Sequence, residues 1–140
     1  MAGLVVDASV SAAWFLPDEA TPFTEAMLSA TAQADVWVPA LWWLEIGNLL
    51  LNAQRRKRIS AAKRTELVAA AEGLRLRVDR EPVPLRSIDS LADRHKLSSY
   101  EAAYLELAMR RALPLATLDT TLLAAMPASQ VALAPGAQQA

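Results

Sequence analysis

A short apolar run near the start of the chain ends abruptly in a carboxylate. The sequence LVVD at residues 4–7 has no polar alternation, which is typical of an interior strand of a parallel sheet. Parallel α/β sheets place their ligands just beyond the carboxyl ends of their strands. The same arrangement recurs in LATLD at residues 115–119. We therefore expect Asp7 and Asp119 to face one crevice at one edge of a parallel sheet.

Apolar periodicity and turn residues divide the rest of the chain into alternating strands and helices. This alternation predicts an α/β fold, a three-layer α/β/α sandwich with a mainly parallel sheet of four or five strands. We predict strands at 3–7, 36–38, 78–84 and 115–118, and an edge strand at 131–133. Predicted helices cover 9–16, 21–32, 40–58, 60–74, 87–95, 98–111 and 120–125. A single domain is expected over 1–134, followed by a frayed tail at 135–140.

Composition restricts the class of protein. The 140 residues are 54% hydrophobic and 21% charged, which suits one globular domain with a substantial core. There are no cysteines, so disulfides and thiolate metal sites are excluded. No apolar run reaches the roughly 18 residues that a membrane helix needs, and the first strand follows Met1 directly. We expect a cytoplasmic protein without a signal peptide or membrane contact.

The charge balance excludes a global positive field, because the net charge is −1. One local cluster is nevertheless basic, with four consecutive cations followed by Lys63 and Arg64. This cluster either contacts phosphates or forms a solvated helix end, where cations are favoured. Its core consists of Arg55, Arg56, Lys57 and Arg58.

Glu45 lies among almost entirely apolar residues of the predicted helix 40–58. With Asn48 and Asn52 it forms one polar stripe, at i, i+3 and i+7. A carboxylate on a buried helix is costly unless it is paired or binds a metal. The alternative to a metal is an ion pair with an arginine from elsewhere in the chain.

The other acids also have structural interpretations. Ser98 and Glu101 have the spacing of a capping box, in which the glutamate bonds the amide of the capping serine. Asp7 and Asp119 each precede a predicted helix and are suited to cap it. Thr117, two residues before Asp119, can support a neighbouring acid through its hydroxyl.

Taken together, the four acids predict a metal. Two like charges about 4 Å apart repel by roughly 4 kcal/mol at an effective dielectric near 20, so clustered carboxylates need a proton or a cation. Oxygen ligands without cysteine, in a chain with a single histidine, favour Mg²⁺ or Mn²⁺ over zinc. Such an ion promotes phosphodiester hydrolysis by activating water and stabilising the leaving oxygen.

At these residues the sequence resembles the PIN-domain ribonucleases, in particular the VapC toxins of prokaryotic toxin–antitoxin pairs. The matching segments, in order along nearly the whole chain, are VVDAS at 5–9, LEIGN at 44–48, LSSYEAAY at 97–104 and LATLD at 115–119. The resemblance implies a Mg²⁺- or Mn²⁺-dependent endoribonuclease that cuts single-stranded or structured RNA, such as tRNA. It also implies a homodimer that a cognate antitoxin protein silences.

The resemblance assigns roles to individual residues. The catalytic, metal-binding acids are Asp7, Glu45, Glu101 and Asp119. Around them we expect Thr117, Ser9 and Asn48. The family usually has aspartate where this chain has Glu101, and the extra methylene displaces the carboxylate oxygens. The alternative function is therefore a catalytically weakened or inactive PIN-like module that binds RNA or a protein partner.

Overall fold

Four short strands form the centre of the fold. The computed structural model describes residues 3–135, and all four strands within that range are parallel. They are β1 (Gly3–Val6), β2 (Asp35–Pro39), β3 (Leu76–Asp79) and β4 (Leu115–Ala116). The order in the sheet is β3-β2-β1-β4. The predicted α/β sandwich with a parallel sheet is confirmed.

Seven α-helices flank the sheet in the part of the chain that the structure describes. They are α1 (Ala8–Phe15), α2 (Pro22–Ala30), α3 (Trp42–Arg55), α4 (Ala61–Glu72), α5 (Leu85–His95), α6 (Ser99–Arg111) and α7 (Thr120–Ala125). A 3-10 turn, Pro17–Glu19, follows α1. Side-chain caps explain several starts, since Asp7, Thr21, Ser60, Ser98 and Asp119 each accept a hydrogen bond from a backbone amide of the following helix.

The interior position of β1 accounts for its sequence. It pairs with β2 on one side and β4 on the other, and all four of its residues are buried. Uninterrupted apolar side chains are what a strand covered on both faces requires. Asp7 follows immediately, so the sheet directs the chain's first carboxylate to the carboxyl edge next to the end of β4.

Three strand predictions were wrong in their bounds. The predicted strand 115–118 is β4, which covers only Leu115–Ala116. The predicted strand 78–84 is β3, which begins at Leu76 and ends at Asp79 because its register follows β2, with Val36 opposite Leu76. Pro82 and Pro84 lie beyond it, and proline has no amide to donate to a strand ladder. The predicted edge strand 131–133 is reduced to one parallel bridge between Leu115 and Leu133.

The start of α3 also differs from the prediction. The helix begins at Trp42 rather than near residue 40, which places Glu45 in its first turn. Trp42 is fully buried, whereas Leu44 is 78% exposed, so α3 is buried along one face only. The burial cost that the sequence suggested for Glu45 is correspondingly smaller.

Charged side chains fasten the end of α6 to the sheet. Asp79, at the end of β3, accepts hydrogen bonds from Arg110 (Nη2 to Oδ2, 2.7 Å) and Arg111 (Nη2 to Oδ1, 2.9 Å). These bonds hold the pKa of the Asp79 carboxyl below its usual value. The Arg111 guanidinium also lies over the Trp37 ring, 3.5 Å from its centre. This cluster fixes the helix whose other end carries Glu101.

Apart from Pro135, the predicted tail 135–140 lies outside the described residues. No helix within residues 3–135 is long and apolar enough to cross a membrane.

Candidate metal centre

Four carboxylates from four different elements line one cavity of about 300 Å³ at the carboxyl edge of β1 and β4. The lining residues are Asp7, Ala8, Ser9, Glu45, Ser98, Tyr100, Glu101, Tyr104, Asp119 and Leu122. No lysine, arginine or histidine is among them. The cavity is therefore strongly negative when its acids are ionised.

Asp7 is buried and held on both carboxylate oxygens. Its Oδ1 accepts hydrogen bonds from Ser9 Oγ (2.6 Å) and from the amide of Val10 (3.2 Å). Thr117 donates its hydroxyl to Oδ2. Burial, with a smaller effect from the nearby charge of Asp119, raises the Asp7 pKa from 3.8 to about 6 despite these hydrogen bonds. Asp7 thus both caps α1 and presents a carboxyl group to the cavity.

Asp119, which follows β4, likewise caps a helix and lines the cavity. Its Oδ1 accepts from the amides of Thr121 (2.8 Å) and Leu122 (3.0 Å), which caps α7. Its other oxygen, Oδ2, accepts no hydrogen bond from residues 3–135. Its own amide donates to Thr117 Oγ1 (3.0 Å), the hydroxyl that bonds Asp7. The two aspartates are therefore joined through one threonine.

Ser9 provides a second link between the two strand ends. Its Oγ donates to Asp7 and accepts from the amide of Leu118 (2.9 Å). Because both hydroxyls, those of Ser9 and Thr117, are used in this way, the segment that follows β4 is fixed against the segment that follows β1.

Glu45 enters the cavity from the first turn of α3. Its Oε1 accepts a hydrogen bond from the Tyr104 hydroxyl (2.6 Å). Burial raises the Glu45 pKa, and the tyrosine bond opposes that rise. The arginine partner considered from the sequence is not observed, since no ion pair to Glu45 occurs among residues 3–135.

Glu101 forms the predicted capping box, which is confirmed. Its Oε1 accepts from the amide of Ser98 (2.8 Å), and the Ser98 hydroxyl accepts from the amide of Glu101 (3.0 Å). The second carboxylate oxygen has no hydrogen-bond donor in the described part of the chain. Glu101 therefore serves the helix end while its carboxyl group lines the cavity.

The remaining predicted site residues lie elsewhere. Asn48 is exposed and lines a neighbouring apolar groove rather than the acidic cavity. The basic residues 55–58 are exposed at the far end of α3, with Arg55 about 15 Å along the helix axis from Glu45. Arg58 pairs with Asp18 (2.9 Å) and Glu19 (3.2 Å), so its charge is already engaged.

The donor set fits a hard divalent cation, because every charged group on the cavity wall is a carboxylate. In the arrangement that the structure describes, no three acidic or histidine side chains of residues 3–135 are close enough to hold a metal between them. Hydrogen bonds to Tyr104 and Ser98 hold Glu45 and Glu101. The acids thus share a cavity without forming a closed cluster.

The sequence did not reveal the residue that contacts Glu45. Tyr104 was not among the predicted site residues, yet it lines the cavity and its hydroxyl reaches Glu45. Its spacing of three residues from Glu101 puts both on one face of α6, which is the one local signal that links it to the acids.

The fold is a parallel α/β sheet with acidic side chains gathered at its carboxyl edge. The PIN domain family matches residues 4–126, and the chain belongs to that family. PIN domains generally use divalent metal ions. The family expected from the sequence is thereby confirmed.

Solved structures show the same fold. PAE2754 from Pyrobaculum aerophilum is 23% identical with a TM-score of 0.63, over 89% of this chain and 86% of that one. FitAcB from Neisseria gonorrhoeae is 20% identical with a TM-score of 0.56, over 93% of this chain and 95% of that one. No curated protein matches the sequence significantly.

Proposed function

We propose that this PIN domain is a Mg²⁺- or Mn²⁺-dependent endoribonuclease of the VapC type, which hydrolyses phosphodiester bonds in RNA. One observation carries the proposal. Asp7, Glu45, Glu101 and Asp119 come from four separate elements, yet they line a single cavity that contains no basic side chain. Such a concentration of negative charge at a sheet edge suits a bound cation better than any structural role.

In this proposal the four carboxylates would hold the metal, which would act as a Lewis acid and activate water for attack. The protein's own groups prepare the site. Ser9 and Thr117 hold the two oxygens of Asp7, and the amides that start α7 hold one oxygen of Asp119. These bonds fix the two aspartates in advance, before any cation binds.

A second surface, next to the cavity, is suited to bind a protein partner. An apolar groove of about 690 Å³ adjoins the acidic cavity, and Glu45 and Tyr100 line both. Leu44 is 78% exposed and Tyr100 65% exposed in this groove, although side chains of this size usually avoid water. We propose that a cognate antitoxin covers the groove and thereby blocks the cavity, and that the domain forms a homodimer.

The proposed substrate is single-stranded RNA or a structured RNA such as tRNA. With a net charge of −1, the protein needs a local patch to hold phosphates. Three exposed cations of the basic cluster form no ion pair within residues 3–135, unlike Arg58. We propose that these three, Arg55, Arg56 and Lys57, contact the RNA backbone at a distance from the cut.

The test is cleavage of a mixed RNA pool by purified protein without its partner, with Mg²⁺ or Mn²⁺ and with EDTA as a control. We expect Asp7→Asn to abolish cleavage, and Asp89→Asn, an identical change on the exposed face of α5, to leave it intact. Cleavage that survives Asp7→Asn or EDTA contradicts the proposal. Metal binding without any cleavage would instead support the weakened or inactive binding module.

A further inference from the structure

Tyr104 occupies a buried position against the acidic cavity. Its side chain is part of the hydrophobic core, yet its hydroxyl lies 2.6 Å from Oε1 of Glu45. This bond joins α6 to α3 across 59 positions of sequence. A buried tyrosine hydroxyl needs a partner, and Glu45 is the only one it has among residues 3–135.

Glu45 depends on this bond for its orientation. Asp7 is fixed by three hydrogen bonds and Asp119 by two, whereas Glu45 receives one. Glutamate also has a longer side chain than aspartate, and ordering such a side chain costs up to about 2 kcal/mol of rotamer entropy. Without the tyrosine, no other donor in the described part of the chain would hold the Glu45 carboxylate.

The Tyr104 hydroxyl acts as a hydrogen-bond donor to Glu45. Burial, the bond to Glu45 and the charges of Glu45 and Asp7 all raise its pKa above the usual value. A free phenol has a pKa of about 10, so near neutral pH the hydroxyl is protonated and donates to the Glu45 carboxylate. It thereby directs the carboxylate that it touches.

We propose that Tyr104 is a positioning residue of the metal centre, whose hydroxyl holds Oε1 of Glu45 and leaves the other oxygen for the cation. This inference rests on the proposed metal-dependent function. It assigns Tyr104 an effect that acts only through Glu45, which distinguishes it from a residue that merely fills the core.

The chain offers a matched control. Tyr100 lies one turn before Tyr104 on α6 and lines the same cavity, but its hydroxyl makes no hydrogen bond to residues 3–135. Tyr104→Phe and Tyr100→Phe therefore remove the same atom from the same wall. Both substitutions keep the aromatic ring and hence the packing of the helix.

The first measurement is the Mn²⁺ affinity, which is determined from the electron paramagnetic resonance signal of the free ion. We expect Tyr104→Phe to weaken binding about tenfold, as loss of a group that orients a ligand typically does, and Tyr100→Phe to have no effect. In a Glu45→Ala background, Tyr104→Phe should cause no further loss. Equal affinities for Tyr104→Phe and the unaltered protein, or the same loss in the Glu45→Ala background, overturn the inference.

The second measurement needs no metal. NMR relaxation of the Glu45 side-chain methylene groups reports their order, which we expect to fall in Tyr104→Phe and to stay unchanged in Tyr100→Phe. If the unaltered protein binds no Mn²⁺, the proposed function fails and with it any role at a metal centre. If it binds Mn²⁺ but the order of Glu45 is the same with and without the Tyr104 hydroxyl, only the positioning role fails.

Discussion

The hydroxyl of Thr117 donates a hydrogen bond to Asp7, which joins two residues that are 110 positions apart in the sequence. The same oxygen accepts from the amide of Asp119. Thr117 is buried, so both bonds are shielded from water. One threonine thus connects the carboxylate after β1 with the carboxylate after β4, and the geometry of both acids depends on it.

Thr117→Val should weaken both the fold and the metal site. Valine has the shape of threonine but leaves one oxygen of Asp7 and the amide of Asp119 without their partner, at a cost of about 1–3 kcal/mol. We expect lower stability in urea unfolding and weaker Mn²⁺ binding. Thr117→Ser keeps the hydroxyl and should retain most of the affinity; if serine performs as poorly as valine, the hydroxyl is not the important group.

The stability of the metal-free protein should fall as the pH rises through about 6. The Asp7 pKa is raised from 3.8 to about 6, so between these values the folded state binds a proton that the unfolded chain has lost. Protonation of Asp7 contributes fully to the stability of the folded state below the pKa of the unfolded chain. This contribution disappears above the pKa of the folded state. The interval corresponds to about 3 kcal/mol, at roughly 1.4 kcal/mol for each pH unit.

Asp7→Asn removes this dependence and provides its check. We expect the variant to be more stable than the unaltered protein at pH 8 in EDTA, and its free energy of unfolding to vary less between pH 4 and pH 8. Urea unfolding across that range measures both quantities. A stability of the unaltered protein that rises steadily with pH, and a variant that follows it, would show that Asp7 ionises without cost.

The sequence was sufficient for the features that local chemistry determines. β1 is recognisable because an interior parallel strand is apolar throughout, and the capping box of Ser98 and Glu101 depends only on four consecutive residues. The prediction of the buried face of α3 was nearly correct. Trp42, Ile46, Leu49 and Ala53 have the spacing of one apolar helix face, which predicts that they are buried together. Trp42, Ile46 and Ala53 are buried, but Leu50 is buried in place of Leu49.

The features that the sequence did not reveal depend on contacts between distant segments. The limits of β3 follow its pairing with β2, and β4 is only two residues long because Thr117 turns away to bond Asp7. The partner of Glu45 is a tyrosine on another helix. Similarly, the pairing of Arg58 with Asp18 spans 40 positions, and no local pattern predicts it.

Substitutions of Glu101 should separate its capping role from its proposed metal-binding role. Glu101→Ala loses the acceptor for the Ser98 amide and should destabilise the protein by about 1 kcal/mol. Glu101→Gln keeps an oxygen acceptor, so it should retain stability while it weakens Mn²⁺ binding through the lost charge. Thermal unfolding and metal titration of the two variants decide the matter: a glutamine variant with unchanged affinity would leave Glu101 as a cap only.

Glu101→Asp tests the departure from aspartate that the resemblance to the VapC toxins implies at this position. The shorter side chain restores the family's acid but reaches less far towards the Ser98 amide. We expect cleavage and Mn²⁺ affinity to rise or stay equal, with a small loss of stability. A loss of cleavage in Glu101→Asp would indicate that the site has adapted to glutamate, and the thermal unfolding curve shows whether that loss merely reflects unfolding.

Charge reversal in the basic cluster should weaken RNA binding without changing the metal site. The substitutions reverse exposed cations at or just after the end of α3, which lies about 15 Å along the helix axis from Glu45, so Mn²⁺ affinity should be unaffected. The variants are Arg55→Glu, Arg56→Glu and Lys57→Glu. Each lost phosphate contact reduces the slope of log affinity against log salt by about 0.7 for a single strand.

Arg58→Gln provides the comparison for that series, because Asp18 and Glu19 already neutralise the arginine. The substitution should alter the salt slope little. It should also cost little stability, since both acids and the arginine are substantially exposed and exposed ion pairs contribute little. RNA binding measured by fluorescence anisotropy at several salt concentrations makes the comparison. If Arg58→Gln lowers the slope as much as Arg56→Glu does, the ion pair opens on binding, and Arg58 belongs with the cations that contact RNA.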